Sequence, residues 1–165
     1  MKSSFSSKLE RYINKMGVEF GSVVTVSLPT APYEESASSI SATVDVSATL
    51  TEENISVLSR IAEVTNLIII VCCSEDADGD TATKALRFYG LTTDQVADCR
   101  ILRSSTTVGR IAIARQINPA IHLDFEEEVV KELDRFKVKG RVYKKGNKGL
   151  RDSLETAEQF NSKDG

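Results

Sequence analysis

The sequence is poor in the side chains that mark a metal centre or a nucleic-acid surface. It has one histidine and three cysteines among 165 residues, too few ligands for an ordinary zinc site. Aromatic residues make up 6% and tryptophan is absent, which argues against platforms that stack bases or sugars. No apolar run approaches the ~20 residues of a membrane-spanning helix, and no signal peptide opens the chain. We therefore expect a soluble domain without a metal or cofactor.

The length and charge of the chain further restrict the class of protein. A chain of this length is one domain by the usual prior. Its 24 acidic and 21 basic residues give a net charge of −3, so the whole molecule exerts no strong attraction on nucleic acids or membranes. Cys72 and Cys73 are adjacent in an apolar run. We interpret them as buried, reduced thiols, which indicates a reducing compartment.

Apolar patterns of strand type alternate with patterns of helix type along the chain. Strands are predicted at residues 18–28, 40–48, 67–73, 99–102, 121–125 and 141–144, with 67–73 as a central strand because it is continuously apolar. Helices are predicted at residues 3–16, 52–64 (capped by Thr51), 81–89, 105–118 and 125–136 (capped by Asp124). This alternation predicts an α/β fold, a Rossmann-like three-layer sandwich whose mostly parallel sheet has helices on both faces.

The same patterns divide the chain into three parts. Residues 1–17 are predicted to form an N-terminal helix packed on the domain, and residues 18–145 a single α/β domain. Residues 30–39 are a linker by composition within it. Residues 146–165 are predicted to be a flexible tail with room for a short helix from residue 152 to 160.

Residues 99–124 are the most informative segment, with a strand, a turn, a helix, a turn and a strand. Ser104 or Ser105 is predicted to cap the helix, and Pro119 ends it. Apolar side chains occupy more than one side of this helix, which predicts that it is buried against the sheet and against another element. Gly109 lies inside it, where it indicates either close packing on the sheet or close approach of a ligand or partner backbone.

The spacing of residues around this helix carries a resemblance. They read Ser105-Thr106-x-x-Gly109-Arg110 and then Arg115-Gln116-Ile117-x-Pro119-x-x-His122-Leu123, with Phe136, Ser153-Leu154 and Gln159-Phe160 farther on. In these residues the chain resembles the peroxin-22 family, without gaps from residue 102 to about residue 136. That family normally carries an N-terminal membrane anchor, which this sequence lacks, so we expect either a soluble form or a different anchor.

The resemblance implies a function that is not catalytic. Peroxin-22 proteins hold the ubiquitin-conjugating enzyme peroxin-4 at the cytosolic face of the peroxisomal (or glycosomal) membrane and promote its activity, which supports ubiquitination and recycling of import receptors. The resemblance therefore implies a receptor and co-activator in a one-to-one complex with such an enzyme. The candidate partner-binding residues are Thr107, Arg110, Arg115, Gln116, Asn118 and Pro119. A competing interpretation is that Arg115 and Gln116 only form hydrogen bonds within the fold.

Acidic residues after the apolar run 67–73 offer an enzymatic alternative. Asp76 and Asp78 have the Asp-x-Asp spacing of haloacid-dehalogenase phosphatases, in which one carboxylate attacks and the other acts as acid or base. Ser74 and Glu75 intervene, however, so the first aspartate lies beyond the end of the strand. The competing interpretation is a solvated acidic helix start, where carboxylates are favourable. The same run does not fit a calcium loop.

Other motifs are also ambiguous. The basic residues between Lys137 and Arg151 indicate either a solvated edge strand or a binding surface. Such a surface would suit an acidic partner or anionic lipids. A nucleic-acid-binding patch is a further alternative, which the net charge disfavours. The hydroxyls at residues 104–107 could hold a phosphate, although no glycine-rich fingerprint accompanies them. His122 is predicted to be a hydrogen-bonded structural residue rather than a general base.

Overall fold

The computed structural model describes residues 11–30, 49–146 and 148–154. Within them, five strands form one sheet in the order β3-β2-β1-β4-β5, and each neighbouring pair is parallel. The strands are β1 (Val23–Pro29), β2 (Asn66–Cys72), β3 (Ile101–Ser104), β4 (Ile121–Asp124) and β5 (Gly140–Val142). The helices are α1 (residues 11–16), α2 (Glu52–Val64), α3 (Asp76–Phe88), α4 (Thr107–Ile117), α5 (Glu127–Arg135) and α6 (residues 149–154).

Helices cover both faces of the sheet, which confirms the predicted three-layer α/β sandwich. The larger apolar cluster joins the sheet to α1, α2, α3 and α6, and a smaller one lies between α4, α5 and Val138. Side chains of a strand alternate between faces. In β1 and β4 this alternation places Val24, Val26, Leu28, Ile121 and Leu123 in the larger cluster. The opposite face of these two strands carries buried polar residues, namely Thr25, Ser27, His122 and Asp124.

Polar side chains fix the start of α2. Thr51 accepts a hydrogen bond from the Asn54 backbone N–H and so caps α2, as predicted. The Asn54 side chain is buried and donates to the backbone carbonyls of Thr49 and Gly146, each at 2.9 Å, and accepts from the Leu150 N–H at 3.1 Å. One amide therefore joins the start of α2 to the segment between β5 and α6.

Some predicted boundaries and caps are wrong. Thr106, not Ser104 or Ser105, caps α4, because its hydroxyl accepts from the Gly109 N–H at 2.9 Å. Glu126, not Asp124, precedes α5, although the Asp124 carboxylate accepts from the Glu126 N–H at 2.9 Å. A Cβ at Gly109 would lie 2.9 Å from the Thr106 hydroxyl oxygen and 3.2 Å from that of Ser104, so this glycine serves close packing.

Several strands and helices also differ in position from the prediction. β1 begins at residue 23 rather than 18, after a turn at residues 20–21. β2 is an interior strand between β3 and β1 and is buried on both faces, as predicted, while β1 occupies the middle position of the sheet. Cys99 lies in a short 3₁₀ helix, Asp98–Arg100, before β3. α3 begins at residue 76 rather than 81, because its acidic residues form the first helical turn. β5 begins one residue before the predicted strand and is shorter.

Both ends of the described chain pack on the domain. Tyr12 and Met16 of α1 and Leu150 and Leu154 of α6 are buried in the larger cluster. The predicted linker at residues 31–39, the predicted strand at 40–48 and the first part of the N-terminal helix lie outside the described residues, as do Gln159 and Phe160. Within the part of the chain that is described, no helix is long and apolar enough to span a membrane.

Candidate functional site

A groove of about 380 Å³ runs along the surface between α4 and α5. We call it the α4–α5 groove. On the α4 side its lining comes from the first three turns of that helix, and on the α5 side from that helix and the residue that follows it. The lining residues are Thr107, Val108, Ile111, Ala112, Arg115, Glu128, Glu132 and Phe136.

The groove exists because α4 is less buried than its sequence predicts. Among its residues only Arg110 and Ala114 are buried, whereas Val108 is 76% exposed and Ala112 is also exposed. α4 packs on the sheet and on α5, as predicted, but part of its apolar surface stays exposed. The helix has apolar residues on more than one side, but the sheet and α5 cover only part of its circumference. The remaining apolar side chains face solvent along the groove.

Phe136 closes one end of the groove. The sequence predicts a helix that includes residue 136, but Phe136 follows the last turn of α5 and is 42% exposed. The Arg115 guanidinium lies over its ring, 3.6 Å from the ring centroid. This cation–π contact holds both side chains at the groove and leaves part of the aromatic ring accessible.

Below α4, a buried ion pair attaches the helix to the sheet. The Arg110 side chain is 4% exposed, and its Nε donates to Asp124 Oδ2 at 3.0 Å. It also donates to Glu126 and, through Nη1, to the Cys72 sulfur at 3.3 Å. Its guanidinium lies 4.8 Å from the centre of the Phe125 ring. Arg110 is therefore fully engaged inside the domain.

Asp124 lies at the centre of this buried polar group. Its Oδ2 lies 2.8 Å from His122 Nε2, and since a carboxylate only accepts, that nitrogen carries the proton and donates. His122 Nδ1 lies 2.6 Å from the Thr25 hydroxyl oxygen, so His122 is a hydrogen-bonded core residue, as predicted. Burial by itself would raise the pKa of Asp124, but the hydrogen bond from His122 and the positive charge of Arg110 lower it below its ordinary value.

Comparison with known families now identifies the domain. The family model for peroxisome biogenesis protein 22, haloacid dehydrogenase-like domain, matches residues 37–160. The chain belongs to this family. None of the curated proteins searched matches the chain. The match confirms the resemblance stated from the sequence, and family membership supports a role in peroxisome biogenesis.

The haloacid dehydrogenase-like fold raises the question of where a catalytic carboxylate would lie. In open parallel sheets, ligands bind beyond the carboxyl ends of the strands where the strand order reverses, which here is between β1 and β4. β1 ends in Leu28 and Pro29, which bring no carboxylate to that position. The carboxylate at the end of β4, Asp124, is completely buried and is bound by Arg110 and His122. It is therefore not free to attack a substrate.

The alternative pair, Asp76 and Asp78, lies in the first turn of α3, as expected for an acidic helix start. Asp76 is fully exposed, with an oxygen 3.8 Å from Arg103, and the same guanidinium forms a 2.6 Å ion pair with Asp80. Among the described residues no group of three or more histidine, cysteine or acidic side chains could hold a metal ion. The surroundings of this pair are those of a solvated helix end.

The structure divides the predicted partner-binding residues into two sets. Thr107 and Arg115 line the α4–α5 groove, and Gln116 and Asn118 are exposed at the end of the same helix, where Asn118 adopts the left-handed conformation. Arg110 and Pro119 are buried, so their side chains are not available to a partner. The resemblance pattern thus combines residues of the core with residues of the surface.

Sequence analysis missed most of the groove. The sequence predicts burial of the apolar side chains of α4, which include Val108, Ile111 and Ala112, and it gives no role to Glu132. The available signal was the distribution of apolar residues on several sides of α4. A helix between a sheet and one neighbouring helix cannot bury all of them.

The basic residues between Lys137 and Arg151 follow α5 and include the edge strand β5. Lys139 Nζ donates to the Met16 backbone carbonyl at 2.9 Å, and Lys145 Nζ lies 5.7 Å from the centre of the Phe125 ring. Two of these lysines therefore contact the domain itself. The position of the run on an edge strand fits the structural interpretation, and binding to anionic lipids stays a prediction.

Proposed function

We propose that this domain is a non-catalytic receptor and co-activator that binds a peroxisomal ubiquitin-conjugating enzyme of the peroxin-4 type. It forms a one-to-one complex at the cytosolic face of the peroxisomal membrane, and the bound enzyme ubiquitinates import receptors so that they can be recycled. Family membership supports the peroxisomal setting of this proposal. The observation that carries the docking surface is the exposed apolar side of α4 in the α4–α5 groove.

The groove has the composition of the centre of a protein–protein interface. Val108 and Ala112 are exposed and Ile111 is half-buried, and charged side chains surround them. Interfaces commonly combine an apolar centre with a polar rim. A standard interface buries about 800 Å² on each partner, so the contact must extend beyond the groove. Gln116 and Asn118, exposed at the end of α4, are the nearest predicted contacts in that direction.

The surroundings of the carboxylates favour a binding role over hydrolysis. A phosphatase mechanism requires a nucleophilic carboxylate with access to substrate and a second carboxylate as acid or base. Asp124 is bound inside the domain, and Asp76 is fully solvated at a helix start. Neither arrangement combines substrate access with a shielded, low-dielectric pocket, in which electrostatic catalysis is strong.

The experiment is a calorimetric titration of this domain with the cognate ubiquitin-conjugating enzyme. The variants are Val108→Ser in the groove and Phe88→Ser as a matched control, because both side chains are large, apolar and mostly exposed, at 76% and 80%. Phe88 lies at the end of α3, in the layer on the other side of the sheet. Losing a buried valine contact should weaken binding about tenfold, whereas the control should bind like the wild type.

The possible results separate the parts of the proposal. A one-to-one complex that Val108→Ser weakens supports both the receptor function and the groove. A complex that only Phe88→Ser weakens moves the docking surface to the α3 side of the sheet. Absence of binding at high micromolar concentrations contradicts the receptor function itself.

A further inference from the structure

The charged side chains of the α4–α5 groove are unevenly distributed along its length. Both helices follow a parallel strand and return across the same face of the sheet, so α4 and α5 run in the same direction. Val108 lies at the beginning of α4 and Glu128 at the beginning of α5, with Glu132 one turn farther along. Arg115 lies at the opposite end, beside Phe136. Glu132 lies midway between Glu128 and Phe136 along α5 and forms a 3.0 Å ion pair with Arg135, so the acidic end of the groove is at Glu128 and the basic end is at Arg115.

The size and walls of the groove favour a helix as its occupant. From Val108 to Arg115 the groove extends for two helical turns, about 10 Å along the axis of α4. Its walls are two helices, and none of the described strands contributes a residue to its lining. An extended peptide would find no row of backbone groups with which to pair there. An amphipathic helix needs only an apolar surface of this length.

We propose that the α4–α5 groove receives a helix of the ubiquitin-conjugating enzyme that lies antiparallel to α4, an inference that rests on the proposed function. The apolar side of that helix contacts Val108, Ile111 and Ala112. Its last turn carries lysine or arginine beside Glu128, and its first turn carries aspartate or glutamate beside Arg115. This charge distribution also suits an isolated helix, whose amino end favours acidic and whose carboxyl end favours basic side chains.

Charge reversals at the two ends of the groove test the orientation proposed for the bound helix. Glu128→Lys and Arg115→Glu should each weaken the complex about fivefold at low salt, because each replaces an attraction with a repulsion. Glu127→Lys is the matched control: Glu127 is exposed on the same turn of α5 as Glu128, and it does not line the groove. It should bind within twofold of the wild type. Arg115→Lys keeps the charge, so it should bind more tightly than Arg115→Glu.

Hydrogen–deuterium exchange of the enzyme, free and in the complex, tests the identity of the occupant. The segment most protected by the wild-type domain should be a helix with an acidic first turn and a basic last turn. Protection should weaken in that segment with Glu128→Lys and stay unchanged with Glu127→Lys. Both results together support the antiparallel helix.

Other results overturn the inference in distinguishable ways. If the wild-type complex forms but the charge-reversal variants bind as tightly as Glu127→Lys, the charges of the groove do not contribute to binding. The inference is then wrong, and the receptor function still stands. If the protected segment is a strand, a loop or a helix of opposite charge polarity, the stated occupant is wrong. If the wild-type domain does not bind the enzyme, the proposed function and this inference fail together.

Discussion

Replacing Arg110 with glutamate should strongly destabilise the fold of the domain rather than selectively weaken partner binding. The wild-type guanidinium is 4% exposed and forms a 3.0 Å ion pair with Asp124, which is itself completely buried. Arg110→Glu would leave Asp124 without its cation and place a second carboxylate near it. Removing one partner of a buried pair costs about 3–5 kcal/mol, because the other charge stays buried without compensation.

This loss is large compared with the stability of a domain. Natural domains are stable by ~5–15 kcal/mol, and for a domain of this size each 1 kcal/mol shifts the melting temperature by ~2–4 °C. We therefore expect Arg110→Glu to lower the melting temperature by about 6–20 °C in thermal unfolding followed by circular dichroism. Arg115→Glu is the control, because its side chain is exposed and it loses only the contact with Phe136, worth ~1 kcal/mol or less.

A double variant checks the physical cause. Arg110→Met together with Asp124→Asn removes both charges and keeps one oxygen that can accept from the Glu126 N–H. The amide NH2 then faces His122 Nε2, which accepts in the other neutral tautomer of the imidazole. The double variant should be more stable than Arg110→Met alone, because no carboxylate is then buried unpaired. The reasoning is refuted if Arg110→Glu melts within 2 °C of Arg115→Glu, or if the double variant is no more stable than the single one.

Three further predictions follow from buried groups. The pKa of Asp124 is lower in the folded state than in the unfolded chain. Its stabilising effect is therefore complete above about pH 4 and is lost as the pH falls through the folded pKa. In urea titrations the free energy of unfolding should fall less steeply with acid for Asp124→Asn than for the wild type. Cys72 is half-buried rather than fully buried as predicted, and burial raises the pKa of its thiol to about 12. At pH 8 a thiol reagent, followed by mass spectrometry, should therefore modify exposed Cys99 faster than Cys72. Asn54→Ala leaves buried backbone groups unpaired and should lower the free energy of unfolding by roughly 2–4 kcal/mol.

The fold class could be predicted because the alternation of elements depends on local apolar periodicity. The strand order could not, since it depends on which strand edges meet; for the most apolar run, β2, the sequence predicts only an interior position. β1 occupies the middle of the sheet although its sequence includes Thr25 and Ser27. Their hydroxyls are buried because His122 and Asp124 provide partners from β4. That compensation comes from residues almost a hundred positions away in the sequence.

The sequence places the candidate partner-binding residues on α4 and directly after it, but which of them are exposed could be determined only in three dimensions. An arginine beside apolar residues is typical of either a surface contact or a buried ion pair. Arg110 and Arg115 are five residues apart, which places them on different sides of α4. The sequence alone does not tell which side the sheet covers. The position of Asp124 shows which side this is, because its buried carboxylate is reached by Arg110 and not by Arg115.

The two sides of α4 have complementary roles in the proposed function. Arg110 attaches the helix to Asp124 on β4 and to Glu126, which precedes α5, so the two walls of the α4–α5 groove are joined through one side chain. A groove whose walls are joined in this way needs little reordering when a partner binds, and binding is stronger when less conformational freedom is lost. In the proposed complex we therefore expect Arg110 to influence docking without contacting the partner. This arrangement explains why residues of the core and of the surface occur together in one short pattern.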